Sequence, residues 1–307
     1  MILNRPHFLV VGPAKTGTTW LYEQLRHVQG FKMPPTKEVC FFNEVNFLHT
    51  IDPDNAALLE KYGVMGHEIS EAAIQAAKKR FAKRRKLNMQ YAFEQKQYLW
   101  GLFYRYFPRN TTPLSAYLYS LLFTKEDGII TGDISPLYFP IKDEIIGLIA
   151  EYFPQLKVVM IIRDPVERAW SNIRMNYYSE RAVAGFTIEG YLSKPINRGG
   201  DYAYAITNWE KHFGPNRIQY LFYDDLARHP NKFLQQFLDF VRPGTPVNAV
   251  FEGKIGKGVE KEMEPALRTE LIKMNLPQYH FLANKFGAGS YPQKWLERML
   301  EEPGGKG

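Results

Sequence analysis

The run "HFLVVGPAKTGTTW", residues 7–20, constrains this chain more than any other stretch. Its opening residues form a short apolar run ending at Gly12, the pattern of a buried parallel strand. Beyond the turn, residues 18–28 read as a helix with Trp20, Leu21, Leu25 and Val28 toward one side, stopped by Gly30. Strand, glycine turn and helix in that order gather backbone N–H groups and the positive end of a helix dipole around one point. Lys15 adds a full charge, and Thr16, Thr18 and Thr19 add hydroxyls. The run is therefore read as a phosphate-binding loop rather than an ordinary turn. It departs from the nucleotide-hydrolase pattern G-x-x-x-x-G-K-[ST]. Gly12 and Gly17 keep the spacing, but Thr18 fills the lysine's place and the lysine comes early, at Lys15.

The same alternation continues downstream. "GIITGD", residues 128–133, reads as a strand and is followed by a helix over 141–152. "KVVMII", residues 157–162, is the clearest buried strand; Asp164 and Pro165 follow as N-cap and first helical residue of a helix running to about 178. Residues 217–226 supply another strand, and 230–241 an amphipathic helix with Phe233, Leu234, Phe237, Leu238 and Val241 in register. Strand and helix in turn predict an α/β fold: a P-loop-like, three-layer arrangement with a central parallel sheet between helices. Residues 52–124 break the pattern. They are rich in Ala, Lys, Arg, Tyr and Phe, and are read as a mostly helical insertion within a single domain over 1–307. Their basic segment "KKRFAKRRK", residues 78–86, is either a solvated helix face or a contact for an anionic acceptor.

A second anion site follows from the "VVMII" strand. An ATP or GTP enzyme of this fold wants a carboxylate at the end of a buried strand to hold Mg²⁺. Asp164 stands near that place, but Arg163 comes between. An arginine at the carboxyl end of a strand, facing the crevice, suits direct bidentate binding of an anion. Ser171, about two helical turns on, can share it. Two anion sites without an obvious magnesium cage suit a nucleoside phosphorylated at both ends.

Composition bounds the alternatives. With 307 residues, 45% hydrophobic and 15% aromatic, the chain can bury a full core. Lys plus Arg number 39 against 32 acids, a formal charge of +7; that fits an anionic ligand and is too diffuse for a nucleic-acid stripe. Cys40 is the single cysteine, so no intrachain disulfide can form, and a cysteine-based zinc site is disfavoured. No apolar run approaches the roughly 20 residues that span a bilayer. The first strand begins too early for a signal peptide, so the expected setting is reduced and cytoplasmic.

On these residues the sequence resembles the sulfotransferase superfamily, whose donor is 3′-phosphoadenosine 5′-phosphosulfate (PAPS). "PAKTGTTWL" resembles that family's loop for the 5′-phosphosulfate and "IIRDPVERAWSNIRM" its segment for the 3′-phosphate, over a resemblance running from about 7 to 286. It includes "GGDYAYAITNWEKHFG" before a strand, "FYDDLARHPNKFLQQFLDFV", and "KIGKG" at 254–258. "PPTKEVCFF", residues 34–42, favours the carbohydrate (heparan-type) and bacterial branch. The resemblance implies a donor site of Lys15, Thr16, Gly17, Thr18, Thr19, Trp20, Arg163, Ser171, Lys257 and Gly258. It implies Lys15 as the cation at the leaving phosphate and Glu38 as the base that takes the acceptor's proton, with Asp133 and Ser135 at the acceptor side. Cys40 stands where the branch often has histidine, and Ile134 where it often has lysine, which weakens the case for a highly charged glycosaminoglycan acceptor. His49 and His67 are reserve bases, and Cys40 is expected to be a buried small residue.

The expected activity is sulfuryl transfer from PAPS to a hydroxyl or an amine of a small-molecule or carbohydrate acceptor. It would leave adenosine 3′,5′-bisphosphate, and the proposed chemistry requires no metal. Two rivals stand beside it: a magnesium-dependent P-loop kinase with Asp164 or Asp133 on the metal, and a nucleotide-binding protein that transfers nothing. The sequence sets neither the acceptor nor the oligomeric state.

Overall fold

Alternation along two central strands decides the layers of this protein. The structure, a computed structural model, describes residues 5–34, 37–43, 123, 126–179, 185–193, 198–247 and 259–301. Four strands, β1 (Phe8–Gly12), β2 (Gly132–Ile134), β3 (Lys157–Ile162) and β4 (Ile218–Phe222), pair in parallel in the order β2-β1-β3-β4. Successive side chains point to opposite faces. Phe8 and Val10 of β1 join Val159 and Ile161 of β3 in one cluster, and Leu9 and Val11 join Val158, Met160 and Ile162 in the other. Both clusters are buried, which is why these two strands read as continuous apolar runs instead of alternating ones.

Helices cover each face. On the first lie α1 (Thr18–Leu25) and the amphipathic helix over Pro230–Val241, whose Phe237 meets Phe8 edge-on at 5.1 Å between ring centroids. On the second lie α2 (Asp143–Tyr152), α3 (Pro165–Ile173), the helix over Tyr202–His212, and two long C-terminal helices, Pro265–Phe286 and Tyr291–Glu301. In chain order, α4 is Ile188–Leu192, α5 Tyr202–His212, α6 Tyr223–Arg228, α7 Pro230–Val241, α8 Pro265–Phe286 and α9 Tyr291–Glu301. The three-layer α/β fold with a central parallel sheet is the one the sequence predicts. The insertion expected over 52–124, with its basic segment, lies outside the described residues, apart from the single buried Phe123.

Element ends differ from expectation for local reasons. The first helix closes at Leu25 because the next N–H groups bond three residues back, His27 to Gln24 and Val28 to Leu25. The strand expected over 128–133 divides: Ile130 bridges Phe31, and Gly132–Ile134 pairs with β1. The strand expected over 217–226 ends at Phe222, and "YDDL" turns helical with Asp224 and Asp225 in its first turn, where the dipole favours acids. After Ile173, α3 continues as a π-helical turn, Arg174–Tyr178. Among the described residues, no helix is long and apolar enough to cross a membrane.

The packing of α7 on the sheet is directly testable. Phe237 is fully buried, so Phe237→Ala removes a whole aromatic from a close-packed layer. Unfolding in urea should show a loss of about 3–5 kcal/mol at an unchanged slope. A loss below about 1 kcal/mol would mean that α7 does not seat on β1.

Candidate functional site

Parallel strands bring their carboxyl ends to one edge, and β1 and β3 are neighbours, so the loops that follow them meet there. Residues 13–17 leave β1 through a register irregularity between Val10 and Gly12. The Thr16 hydroxyl, fully buried, donates to the Pro13 carbonyl at 2.7 Å and closes the loop on itself. Lys15 adopts φ +75° and Gly17 φ +87°, both in the left-handed region. Gly17 cannot be replaced cheaply, because a Cβ there would lie 2.3 Å from Leu226 Cδ2 in a conformation that L-residues avoid. Gly17 is the N-cap of α1, and no side chain among the described residues caps that end. By contrast, Asp164 and Asp201 cap α3 and α5. The first turn of α1 thus offers its N–H groups with no acidic residue nearby in sequence, the arrangement an anion needs.

Arg163 closes the site from the other strand. Its Nη1 donates to the Lys15 carbonyl at 2.7 Å, and its guanidinium lies 4.3 Å from the centroid of the Tyr223 ring. Its Nε is buried, with no hydrogen-bond partner among the described residues. A buried, unsatisfied guanidinium donor beside a phosphate-type loop is the chemistry an anionic oxygen would complete. Lys15 directs Nζ to Met175 Sδ at 3.4 Å, a weak acceptor that an anion would outcompete. Met175 belongs to the π-helical turn after α3, and Ser171, half-buried, precedes it in α3 itself. Lys15 thus meets Arg163 through its carbonyl and the turn after α3 through its side chain.

Other expected residues take varied positions. Thr18 is buried and Thr19 exposed in the first turn of α1, and Trp20 packs edge-on against Phe233 of α7 at 6.0 Å. Asp133 and Ser135 are fully buried. Ser135 Oγ donates to Asp133 Oδ1 at 2.7 Å and accepts from the Cys40 N–H at 3.1 Å, while Tyr138 donates to Asp133 Oδ2 at 2.6 Å. These groups form a girder beneath residues 38–40. Glu38 donates its N–H to the Ile134 carbonyl at 3.1 Å, and its half-exposed carboxylate pairs with Lys37. Ile134 is buried in the core on the α1 side of the sheet. Lys257, Gly258, His49 and His67 lie outside the described residues.

Asp164 is saturated by the protein. Oδ1 accepts from the N–H groups of Val166 and Glu167 at 3.0 and 3.1 Å and from the Tyr279 hydroxyl at 2.6 Å; Oδ2 accepts from Arg298 at 2.7 Å. Two residues that touch Arg163 and Lys15, Tyr223 and Met175, were not named as site residues from the sequence. Tyr223 carries a usable signal, since it directly follows β4 and so falls at the same strand-end edge. Met175 is the last residue of the segment "IIRDPVERAWSNIRM", and nothing local marks its contact with Lys15.

Comparison with known proteins gives the family. The sulfotransferase family model matches residues 6–245, and this chain belongs to the sulfotransferase family. The crystal structure of a sulfotransferase from Alicyclobacillus acidocaldarius shares the fold. It is 20% identical, covers 95% of this chain and 99% of that one, and superposes with a TM-score of 0.59. A mouse sulfotransferase, SULT7A1, solved with PAP, aligns at 12% identity over 96% and 90% of the two chains, with a TM-score of 0.47. An uncharacterized protein of Aquifex aeolicus (strain VF5) is 28% identical over 102 residues, 33% of this chain and 13% of that protein's length.

Cys40 offers a test of the girder. Burial, then the nearby Asp133 carboxylate, pushes its thiol up to about 12. The reactive thiolate is then scarce at pH 8, where an unperturbed thiol is about one-quarter ionised. The native protein should react with a chromogenic disulfide at least about tenfold more slowly than the denatured chain. The native rate should keep rising above pH 9; a plateau near pH 9 would show that the thiol is not held protonated.

Proposed function

We propose that this sulfotransferase moves a sulfuryl group from PAPS to a hydroxyl or an amine of a small-molecule or carbohydrate acceptor, in a reduced, cytoplasmic setting. The observation that carries the reading is the 2.7 Å bond between Arg163 and the Lys15 carbonyl, which joins two anion-binding segments on adjacent strand ends. That juxtaposition supports a donor charged at two positions. The buried Nε of Arg163, without a partner among the described residues, supports it further. When bound, PAPS would supply the sulfuryl group on a phosphate that departs within adenosine 3′,5′-bisphosphate.

The residues divide the work. Lys15 and the first-turn N–H groups of α1 neutralise and align the 5′ end, with Thr16, Gly17, Thr18, Thr19 and Trp20 shaping the loop around it. Arg163 and Ser171 hold the 3′-phosphate, and Lys257 and Gly258 close over it. Glu38 accepts the proton as the acceptor oxygen or nitrogen attacks sulfur and the sulfur–oxygen bond to the leaving phosphate breaks. Asp133 and Ser135 act by holding residues 38–40 over the carboxyl end of β2. The kinase alternative needs Asp164 or Asp133 as a magnesium ligand. Both carboxylates already accept hydrogen bonds on both oxygens, which weighs against it.

Thermal shift separates these readings. Adenosine 3′,5′-bisphosphate at 100 times its Kd should stabilise the fold by about 2.7 kcal/mol. Stabilisation by ATP–Mg²⁺ and none by the bisphosphate would overturn the sulfotransferase donor assignment, and binding without turnover on any acceptor would favour a non-catalytic protein. Lys15→Ala should weaken bisphosphate binding about 10- to 150-fold, the worth of a hydrogen bond to a charged group. Glu38→Gln should leave binding within about twofold and lower turnover about 10²- to 10⁴-fold, as measured with labelled donor. Unchanged turnover would remove Glu38 as the base.

A further inference from the structure

We infer that Tyr202 is a positioning residue for Arg163, set in place by a C-terminal helix that lies beyond the residues matched by the family model. Arg163 sits between the end of β3 and the N-cap of α3, outside both elements, where backbone groups need partners from elsewhere. One hydroxyl serves both groups: Tyr202 donates to the Arg163 carbonyl at 2.8 Å, and its oxygen lies 3.3 Å from the Arg163 N–H that donates to it. Tyr202 is fully buried, and its ring is held edge-on to Phe139 at 5.5 Å, so the hydroxyl has little freedom to move.

The support of Tyr202 comes from α8. Gln278, itself buried, accepts on Oε1 from the N–H groups of Tyr202 and Ala203 at 2.8 and 3.2 Å, and donates to Asp201 Oδ1 at 3.2 Å. The next residue, Tyr279, donates to Asp164. Two consecutive residues of α8 thus hold both sides of the 163–164 turn. The guanidinium reaches the Lys15 carbonyl and the Tyr223 ring from a backbone that Tyr202 anchors. Without the Tyr202 hydroxyl, two part-buried backbone groups of Arg163 lose their partner, and rotation of that peptide toward new partners would carry the guanidinium off its target.

This inference rests on the reading that Arg163 holds the second phosphate of the donor, and the test separates the two. Isothermal titration of the full chain with adenosine 3′,5′-bisphosphate and with AMP gives an affinity ratio that reports the second phosphate alone. The wild-type ratio should be at least about tenfold, and Arg163→Ala should reduce it to near one. Tyr202→Phe keeps the ring and should lower the ratio about tenfold while AMP affinity stays within about twofold. Trp209→Phe, a buried change on the same helix, should lower the melting temperature and leave the ratio at the wild-type value. A Tyr202→Phe ratio within about twofold of wild type overturns the positioning role. A wild-type ratio near one, or one that survives Arg163→Ala, overturns the Arg163 reading and this inference with it. Should Tyr202→Phe fail to fold by circular dichroism, Gln278→Met decides by the same ratio: lowered, it supports the role, and within about twofold of wild type it overturns it.

Discussion

The hydrogen bond from Arg163 to the carbonyl of Lys15 ties the two ends of the central strand pair together, and the remaining features of the site are arranged around it. A charge-assisted bond of this kind contributes about 1.5–3 kcal/mol, and the Tyr223 ring beneath the guanidinium adds about 0.5–2 kcal/mol. Against these stands the buried Nε, which finds no partner among the described residues; a buried donor left so costs about 1–3 kcal/mol. An anion that accepted from Nε would recover that cost on binding.

The frame is built from carboxylates and hydroxyls that resemble site groups but act as supports. Asp164 follows the end of β3 and Asp133 lies within the short strand β2, near where a magnesium ligand would be sought. Asp164 instead caps α3 and receives Tyr279 and Arg298 from the two C-terminal helices. Asp133 anchors Ser135 and Tyr138, and through Ser135 the backbone of Cys40. Glu38 and Cys40 both adopt positive φ, a costly conformation for residues with side chains, and the bonds to Ile134 and Ser135 hold them there. The segment that carries the candidate base is thus fixed by buried polar contacts beneath it, while its own carboxylate stays half in solvent beside Lys37.

Membership in the sulfotransferase family rests on residues 6–245, yet the geometry at Arg163 draws on residues after that limit. Gln278 and Tyr279 fall next to Pro277, inside the 22-residue helix α8. A proline in such a run reads as a helix breaker, since it lacks an N–H and crowds the preceding turn. Here the helix continues past it because one face is packed against α5 and α9, with Leu271, Tyr279 and Leu282 buried, and that packing outweighs the local penalty. Tyr202 was equally unreadable as a site residue, since "DYAYAITNW" shows a capped amphipathic helix and nothing of what its tyrosine touches.

Sequence alone determined what depends on neighbours in the chain. The apolar runs of β1 and β3, the glycine turn before α1, the Asp164–Pro165 helix start and the face of α7 are all local patterns with local causes, and each is found in the structure. That the loops carrying Lys15 and Arg163 lie close together was legible too, because strand-end loops of a parallel sheet gather at one edge. Tertiary structure decided the partners. Across 148 residues of chain it set Arg163 on the Lys15 carbonyl, and it turned Asp133 and Ser135 inward as a girder. It also filled Asp164 from helices more than a hundred residues away and placed Tyr202 against the Arg163 backbone. A buried polar group takes whichever donor or acceptor the folded layers bring within about 3 Å, and no local pattern records which one that will be.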